Sequence, residues 1–196
     1  DLLQPLHRLY GHLPEYDAFI ASLRALLLEH WQQRPDDLRD LDLRRDLEPE
    51  WFLSEKMVGY VFYVDRFAGN LRGVSEHIGY LQELGVTYVH FMPCLMPRPG
   101  ANDGGYSVMD YDAIDPRLGS MDDLEDVARQ MRESGISLCI DLVLNHTAKE
   151  HEWARRARQG DKTYQAYYHM FDSPDEPLEY ERTLVEIFPN DAPCSQ

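Results

Sequence analysis

Three apolar runs of strand length, Met57–Val64, Val86–Met92 and Ile136–Val143, constrain the fold more than any other feature of the chain. None alternates apolar with polar residues as a half-wetted strand does, so each must be buried on both faces. The segments between them carry helical patterns. Val74–Leu84 closes at Gly85, and Ser120-Met121-Asp122-Asp123 resembles a capping box opening a helix that runs to Glu133 and closes at Gly135. Strand, helix, strand, helix, strand in this style predicts an α/β protein with parallel strands. The turns after the helices are a residue or two long, whereas the stretch from about Pro93 to Gly119 is long and polar. Short connections at one end and elaborate ones at the other predict the first three strands of a (β/α)8 barrel, with its site at the carboxyl ends of the strands. A doubly wound sheet is the alternative, but it calls for a glycine-rich phosphate turn after the first strand, and Phe67-Ala68-Gly69-Asn70 is not one.

The flanking regions read differently. Tyr16, Phe19, Ile20, Leu23, Leu26, Leu27 and Trp31 recur at three- and four-residue steps and paint one apolar stripe on a helix, which Pro35 stops. Asp36 is the expected cap of a second, more charged helix to about Arg45. Residues 1–50 are therefore expected to form a small helical region, 51–143 the first three βα units, and 144–196 the start of a sub-domain inserted after the third strand. In that last region Tyr164, Tyr167, Tyr168 and Phe171 have the spacing of a helical packing stripe.

Bulk properties remove some functions. A hydrophobic fraction of 43% with 11% aromatics excludes disorder, and a net charge of −16 argues against nucleic acid or an anionic membrane surface. No apolar run is long enough to suggest a membrane span. Cys94, Cys139 and Cys194 are odd in number and not closely paired, which predicts reduced thiols and a cytoplasmic setting. The chain starts at Asp1 rather than at a methionine, so something upstream is expected to have been removed or omitted.

Polar groups gather where the strands end. Asp65 follows the first run, Asp103-Gly104-Gly105-Tyr106 the second, and Asp141 with Asn145-His146 the third. Taken singly, each has a plain structural explanation: Asp103-Gly104-Gly105 is a turn motif, Asn145 and His146 a cap and loop-packing pair, and Asp141 and Asp65 strand-end carboxylates. Their joint placement at one end is what points to a site. Carboxylate, amide and imidazole groups can bond an array of hydroxyls, and a tyrosine can lie against the apolar face of a sugar ring. The set suits phosphate poorly, lacking lysine, arginine and a glycine nest. There is no Gly-x-Ser-x-Gly elbow and no His-Glu-x-x-His helix.

Gly105-Tyr106-Ser107-Val108-Met109-Asp110-Tyr111 with Ile114-Asp115-Pro116 and Gly119, and Asp141-Leu142-Val143-Leu144-Asn145-His146, resemble conserved regions of the α-amylase superfamily, glycoside hydrolase family 13. Within that family the chain is most similar to the amylosucrase group. The marks are Asp103-Gly104-Gly105-Tyr106, Asn145-His146-Thr147 with Glu150-His151-Glu152-Trp153, Arg182-Thr183-Leu184 with Glu186-Ile187-Phe188-Pro189, and the opening Leu9-Tyr10-Gly11-His12. The resemblance implies retaining glucosyl transfer from sucrose to an α-1,4-glucan with release of fructose, through an aspartate nucleophile and a glutamate acid/base. It places Tyr106 under the donor glucose and His146 on one of its hydroxyls. It makes Asp103 the base of the pocket, paired with an arginine from later sequence, and Asp141 and Asn145 supports of the loop, with Asp65 a further supporting residue. It implies no cofactor and no metal, although the matching asparagine binds calcium in calcium-dependent amylases.

The family's nucleophile and acid follow its fourth and fifth strands, and no Arg-x-Asp strand end follows His146 here. The resemblance therefore implies that this chain carries neither catalytic group and that both lie beyond Gln196. As a free-standing chain these 196 residues are expected to be poorly soluble and inactive, because three strands cannot close a barrel. Sucrose hydrolase and trehalose-forming isomerase are alternative activities of the same family. A non-catalytic relative used for binding or assembly is the alternative of another class, and the oligomeric state is left open.

Overall fold

The computed structural model describes residues 2–183. It forms two compact units, one up to Ser54 and one from Glu55 onward.

The first unit contains helices α1 (Leu3–Tyr10), α2 (Tyr16–Gln33) and α3 (Asp36–Leu47), then a single 3-10 turn at Trp51–Leu53. Helix α2 stops because Pro35 drives the residue before it out of helical geometry; Arg34 is extended. The cap of α3 is Pro35 itself, and Asp36 is the first helical residue, where its charge favours the positive end of the helix dipole. The chain doubles back there. Arg34 clamps Asp42 with two bonds of 2.6 and 2.8 Å. Arg39 donates to the carbonyls of Trp31 and Gln32, both at 2.9 Å, satisfying the bare end of α2. The apolar stripe of α2 is half-buried at Tyr16, Ile20 and Leu23 and exposed elsewhere.

The second unit holds a parallel sheet of β1 (Gly59–Phe62), β2 (Tyr88–Phe91) and β5 (Ser137–Ile140), in the order β1-β2-β5. The expected parallel arrangement is present, with strand cores shorter than the apolar runs that contain them. Helices α4 (Val64–Ala68), α5 (Leu71–Glu76) and α6 (Ile78–Glu83) cross from β1 to β2, and α7 (Met121–Glu133) leads into β5. The single helix expected over Val74–Leu84 starts earlier and is broken. Asn70 accepts from the Gly73 amide and begins α5, and the chain leaves helical geometry at His77, whose ring bonds the Gly73 carbonyl at 2.8 Å. Helix α7 is opened by a reciprocal capping box, Ser120 with Asp123, as its sequence implies.

One face of the sheet is dry. Leu71, Val74, Leu81, Val89, Phe91, Val127, Met131 and Ile136 are fully or almost fully buried. The register aligns Val61, His90 and Cys139 in one row across the three strands. These alternate with the covered residues and so face the other way. Val61 is 59% exposed there.

The segment 93–119 is not simply a loop. It contains an antiparallel hairpin of β3 (Leu95–Pro97) and β4 (Val108–Ile114), with register shifts along the pairing. Along Val108-Met109-Asp110-Tyr111-Asp112-Ala113-Ile114 one face carries half-buried Met109, Tyr111 and Ala113, and the other is buried at its ends, Val108 and Ile114, and exposed between them at Asp110 and Asp112. Asp115, 4% exposed, follows the hairpin and is held by Arg117 at 2.6 Å.

The expected stripe Tyr164 to Phe171 is also not one helix. Helices α8 (Glu152–Arg158), α9 (Lys162–Gln165) and α10 (Asp175–Glu181) are short, and Tyr167 lies beyond α9. Its ring still packs edge-on against Trp153 and Tyr164. Leu184, Glu186, Ile187, Phe188, Pro189, Cys194 and Gln196 lie outside the described residues. The expectation that the nucleophile and the acid/base follow Gln196 falls outside them too.

Candidate functional site

The site is built from four places in the sequence. His90 comes from the central strand, Asp141 from the residue just after β5, and Tyr106 from the turn that precedes β4. Tyr63 follows β1. Asp141 joins His90 to Tyr106: one carboxylate oxygen meets His90 Nε2 at 2.9 Å and the other accepts from the Tyr106 hydroxyl at 3.0 Å. The two bonds span 51 and 35 residues of sequence, and only the docking of β5 beside β2 makes them possible.

Local geometry explains the Asp103-Gly104-Gly105-Tyr106 motif. Asn102 caps a single 3-10 turn over Asp103–Gly105 by accepting from the Gly105 amide. Asp103, Gly104 and Gly105 all take positive φ, of 53°, 66° and 95°. A side chain at Gly104 would come within 2.9 Å of the Tyr63 hydroxyl, and one at Gly105 within 3.0 Å of Pro93. The two glycines therefore let the turn lie flat on Tyr63 and Pro93, which delivers Tyr106 to Asp141.

Electrostatics follow from this packing. Burial, with the Asp141 bond and charge behind it, pushes the Tyr106 phenol up to about 12; Tyr63 and Asp103 add to the shift. Cys94 is fully buried, and burial together with the Asp141 charge raises its thiol to about 11, so it is a packing residue rather than a nucleophile. Among the described residues, no group of three His, Cys, Asp or Glu side chains converges as metal ligands would.

The sequence-predicted residues divide into two sets. Tyr106 and Asp141 are bonded to each other, and Asp103 lies beside them in the same turn. Asn145 and His146 are exposed on the loop after β5, where Asn145 Nδ2 lies 3.3 Å from His146 Nδ1. That loop is held from below by Tyr111, whose hydroxyl donates to the Val143 carbonyl, and by the Ala148 amide bonded to the Val108 carbonyl at 2.8 Å. Asp65 sits exposed in the first turn of α4, apart from the Asp141 bonds. His90 escaped the sequence reading. Its only signal was one imidazole in the middle of an apolar run, where a polar group needs a partner.

Farther along the chain, three carboxylates after His146 are tied to arginines: Glu150 to Arg98, Glu152 to Arg155 and Asp161 to Arg156. His151 is 5% exposed and packed between Tyr111 and Trp153. Its Nδ1 accepts from the Trp153 amide and begins α8, and burial lowers the imidazole pKa.

The α-amylase catalytic-domain family matches this chain over residues 35–191. The chain is 36% identical over 124 residues to a glucan 1,6-alpha-glucosidase of Streptococcus dysgalactiae subsp. equisimilis, covering 63% of this chain and 22% of that protein. It is 35% identical over 135 residues to trehalose-6-phosphate hydrolase of Escherichia coli K12, covering 65% and 24%. A solved trehalulose synthase variant in complex with its substrate sucrose superposes with a TM-score of 0.56 at 28% identity, over 65% of this chain and 23% of that one. The chain thus spans about a quarter of the length of the relatives it matches. With parallel strands, a polar cluster at their carboxyl ends and this match over most of its length, the chain belongs to the α-amylase (glycoside hydrolase 13) catalytic-domain family and carries part of its (β/α)8 barrel.

Proposed function

We propose that this segment supplies the donor-glucose floor of an amylosucrase-type retaining glucosyltransferase that uses sucrose and elongates an α-1,4-glucan. The observation that supports this most is the fixed phenol of Tyr106. Its hydroxyl is spent on Asp141, so the half-buried ring is immobilised and offers an apolar surface rather than a reactive group. A sugar presents just such a face of C–H groups, with its hydroxyls around the edge. Asp103 and His146 are the hydroxyl ligands in this reading, Asp141 and Asn145 hold the loop, and Asp65 is a supporting residue at the end of β1.

In the retaining reaction the bond from glucose C1 to the fructosyl oxygen breaks. A carboxylate takes C1 as a covalent glucosyl ester, and fructose leaves with the proton of the acid. The acceptor hydroxyl then attacks C1 while the same residue, now a base, removes its proton. None of the residues assigned to the floor performs these steps; they hold the sugar in place for them. In this reading the carboxylate and the acid come from sequence beyond Gln196.

Hydrolysis or isomerisation of sucrose is a second reading, favoured by the sucrose-bound trehalulose synthase relative. Incubating the full encoded protein with sucrose separates the possibilities. Fructose released together with lengthening of added glucan is the expected outcome. Equal glucose and fructose points to hydrolysis, and an isomeric disaccharide to isomerisation. Sucrose left unconsumed sinks the enzymatic reading and favours a binding or assembly module.

A further inference from the structure

We propose that His90 is a positioning residue of this site: by bonding one oxygen of Asp141 it turns the carboxylate so that the other oxygen holds the Tyr106 hydroxyl, and with it the ring. The terminal torsion of an aspartate is broad and soft, so one hydrogen bond leaves the carboxylate free to swing. Two bonds from opposite sides fix it. His90 is the more rigid of the two anchors, because β2 is the central strand and is paired on both sides, to β1 and to β5. The Tyr106 anchor sits on a turn and is the part that needs holding.

The imidazole has little else to do. Its neighbours in register are Val61 and Cys139, and Asp141 is its bonded partner among the described residues. The ring is 34% exposed on the open face of the sheet, and the 2.9 Å contact to Asp141 is what orients it there. The geometry also requires a particular tautomer. Asp141 as a carboxylate only accepts, so His90 must carry its proton on Nε2. The consequence for sugar rests on the function proposed above; the positioning role itself does not.

The test uses the full encoded protein with carbon-labelled tyrosine and nitrogen-labelled histidine. The Tyr106 Cζ resonance is assigned by its loss in Tyr106→Phe. Two polar variants differ mainly in reach: His90→Gln places an amide N–H near the position of Nε2, whereas His90→Asn stops short of it. The Tyr106 resonance is expected to stay in place in His90→Gln and to move and broaden in His90→Asn. A resonance unmoved in both, or displaced equally in both, overturns the proposal. The wild-type protein gives an independent reading that does not depend on a variant folding: a neutral His90 with its proton on Nδ1 instead of Nε2 also overturns it. Sucrose kinetics supply the functional arm, with the KM for sucrose expected to rise about tenfold in His90→Asn at little change in kcat, and to be restored in His90→Gln. If the wild type does not act on sucrose, the proposed function fails, and the Tyr106 resonance still decides the role of His90.

Discussion

Arg98 and Glu150 meet at 3.0 Å across 52 residues of sequence, and each keeps one buried polar atom, Arg98 Nε and Glu150 Oε2, without a hydrogen-bond partner. The pair ties the strand pair β3–β4 to the loop that carries Asn145 and His146. It is a half-buried junction with a single bond, the two side chains being 28% and 29% exposed.

Because each partner already keeps one buried atom without a bond, removing one leaves the other's half-buried charge uncompensated. Arg98→Met or Glu150→Leu alone is expected to destabilise the protein by about 2 kcal/mol, whereas the double variant recovers most of that loss. Denaturant unfolding of the four proteins checks this. Strictly additive losses would show that the pair is not coupled.

At Gly105 in the Asp103–Tyr106 turn φ is 95°, and a Cβ there would meet Pro93 at 3.0 Å and its carbonyl oxygen at 3.2 Å. Gly105→Ala combines backbone strain with a clash, and is expected to cost about 2 kcal/mol and to detach Tyr106 from Asp141. A thermal midpoint and a Tyr106 signal both unchanged from wild type would contradict the role given to this glycine.

Asp123 answers to acid. Its bond to Arg72 at 2.7 Å, then the Ser120 amide and hydroxyl, hold its carboxyl down at about 2 against an ordinary 3.8. A lowered folded pKa means stabilisation present above 3.8 and lost as pH falls towards 2. The stability difference between wild type and Asp123→Ala should therefore be full at neutral pH and shrink over that window. A difference that stays constant through the window would exclude an ionic contribution.

His151 titrates nearer neutrality. Burial between Tyr111 and Trp153 lowers its pKa from 6.5, while the charges of Asp110 on β4 and Glu152 on α8 oppose that shift without reversing it. Protonation also removes the Nδ1 lone pair that accepts from the Trp153 amide. The stabilisation is present above 6.5 and lost as pH falls through the lower, folded value. Thermal midpoints of wild type are expected to fall with acidification, and those of His151→Asn, which can cap but not titrate, to stay flatter. Parallel pH profiles would remove His151 as the cause.

How much of this was legible in the sequence depended on whether a feature was written locally. The three strands and the helix from Met121 announce themselves through unbroken apolar runs and the Ser120–Asp123 cap. The β3–β4 hairpin did not, because Val108, Asp110, Asp112 and Ile114 share one face with buried ends and an exposed middle, which leaves no clean period of two, and β3 is only three residues long with register shifts. The break at His77 depends on a ring reaching the Gly73 carbonyl, which no periodicity encodes. For the site, Tyr106 and Asp141 could be named from their positions at strand ends. His90 could not, because its meaning lies in a partner 51 residues away.

The same separation gives Tyr106 a temporal meaning. Turn, central strand and the end of β5 are each local, but the phenol exchanges water for Asp141 where β5 lies beside β2, after a crossover through α7. Loop-closure entropy must be met before that contact can reward it. The Tyr106–Asp141 bond is therefore expected to form with parallel pairing, so that a probe on that hydroxyl would report the completion of the topology rather than the compaction of the chain.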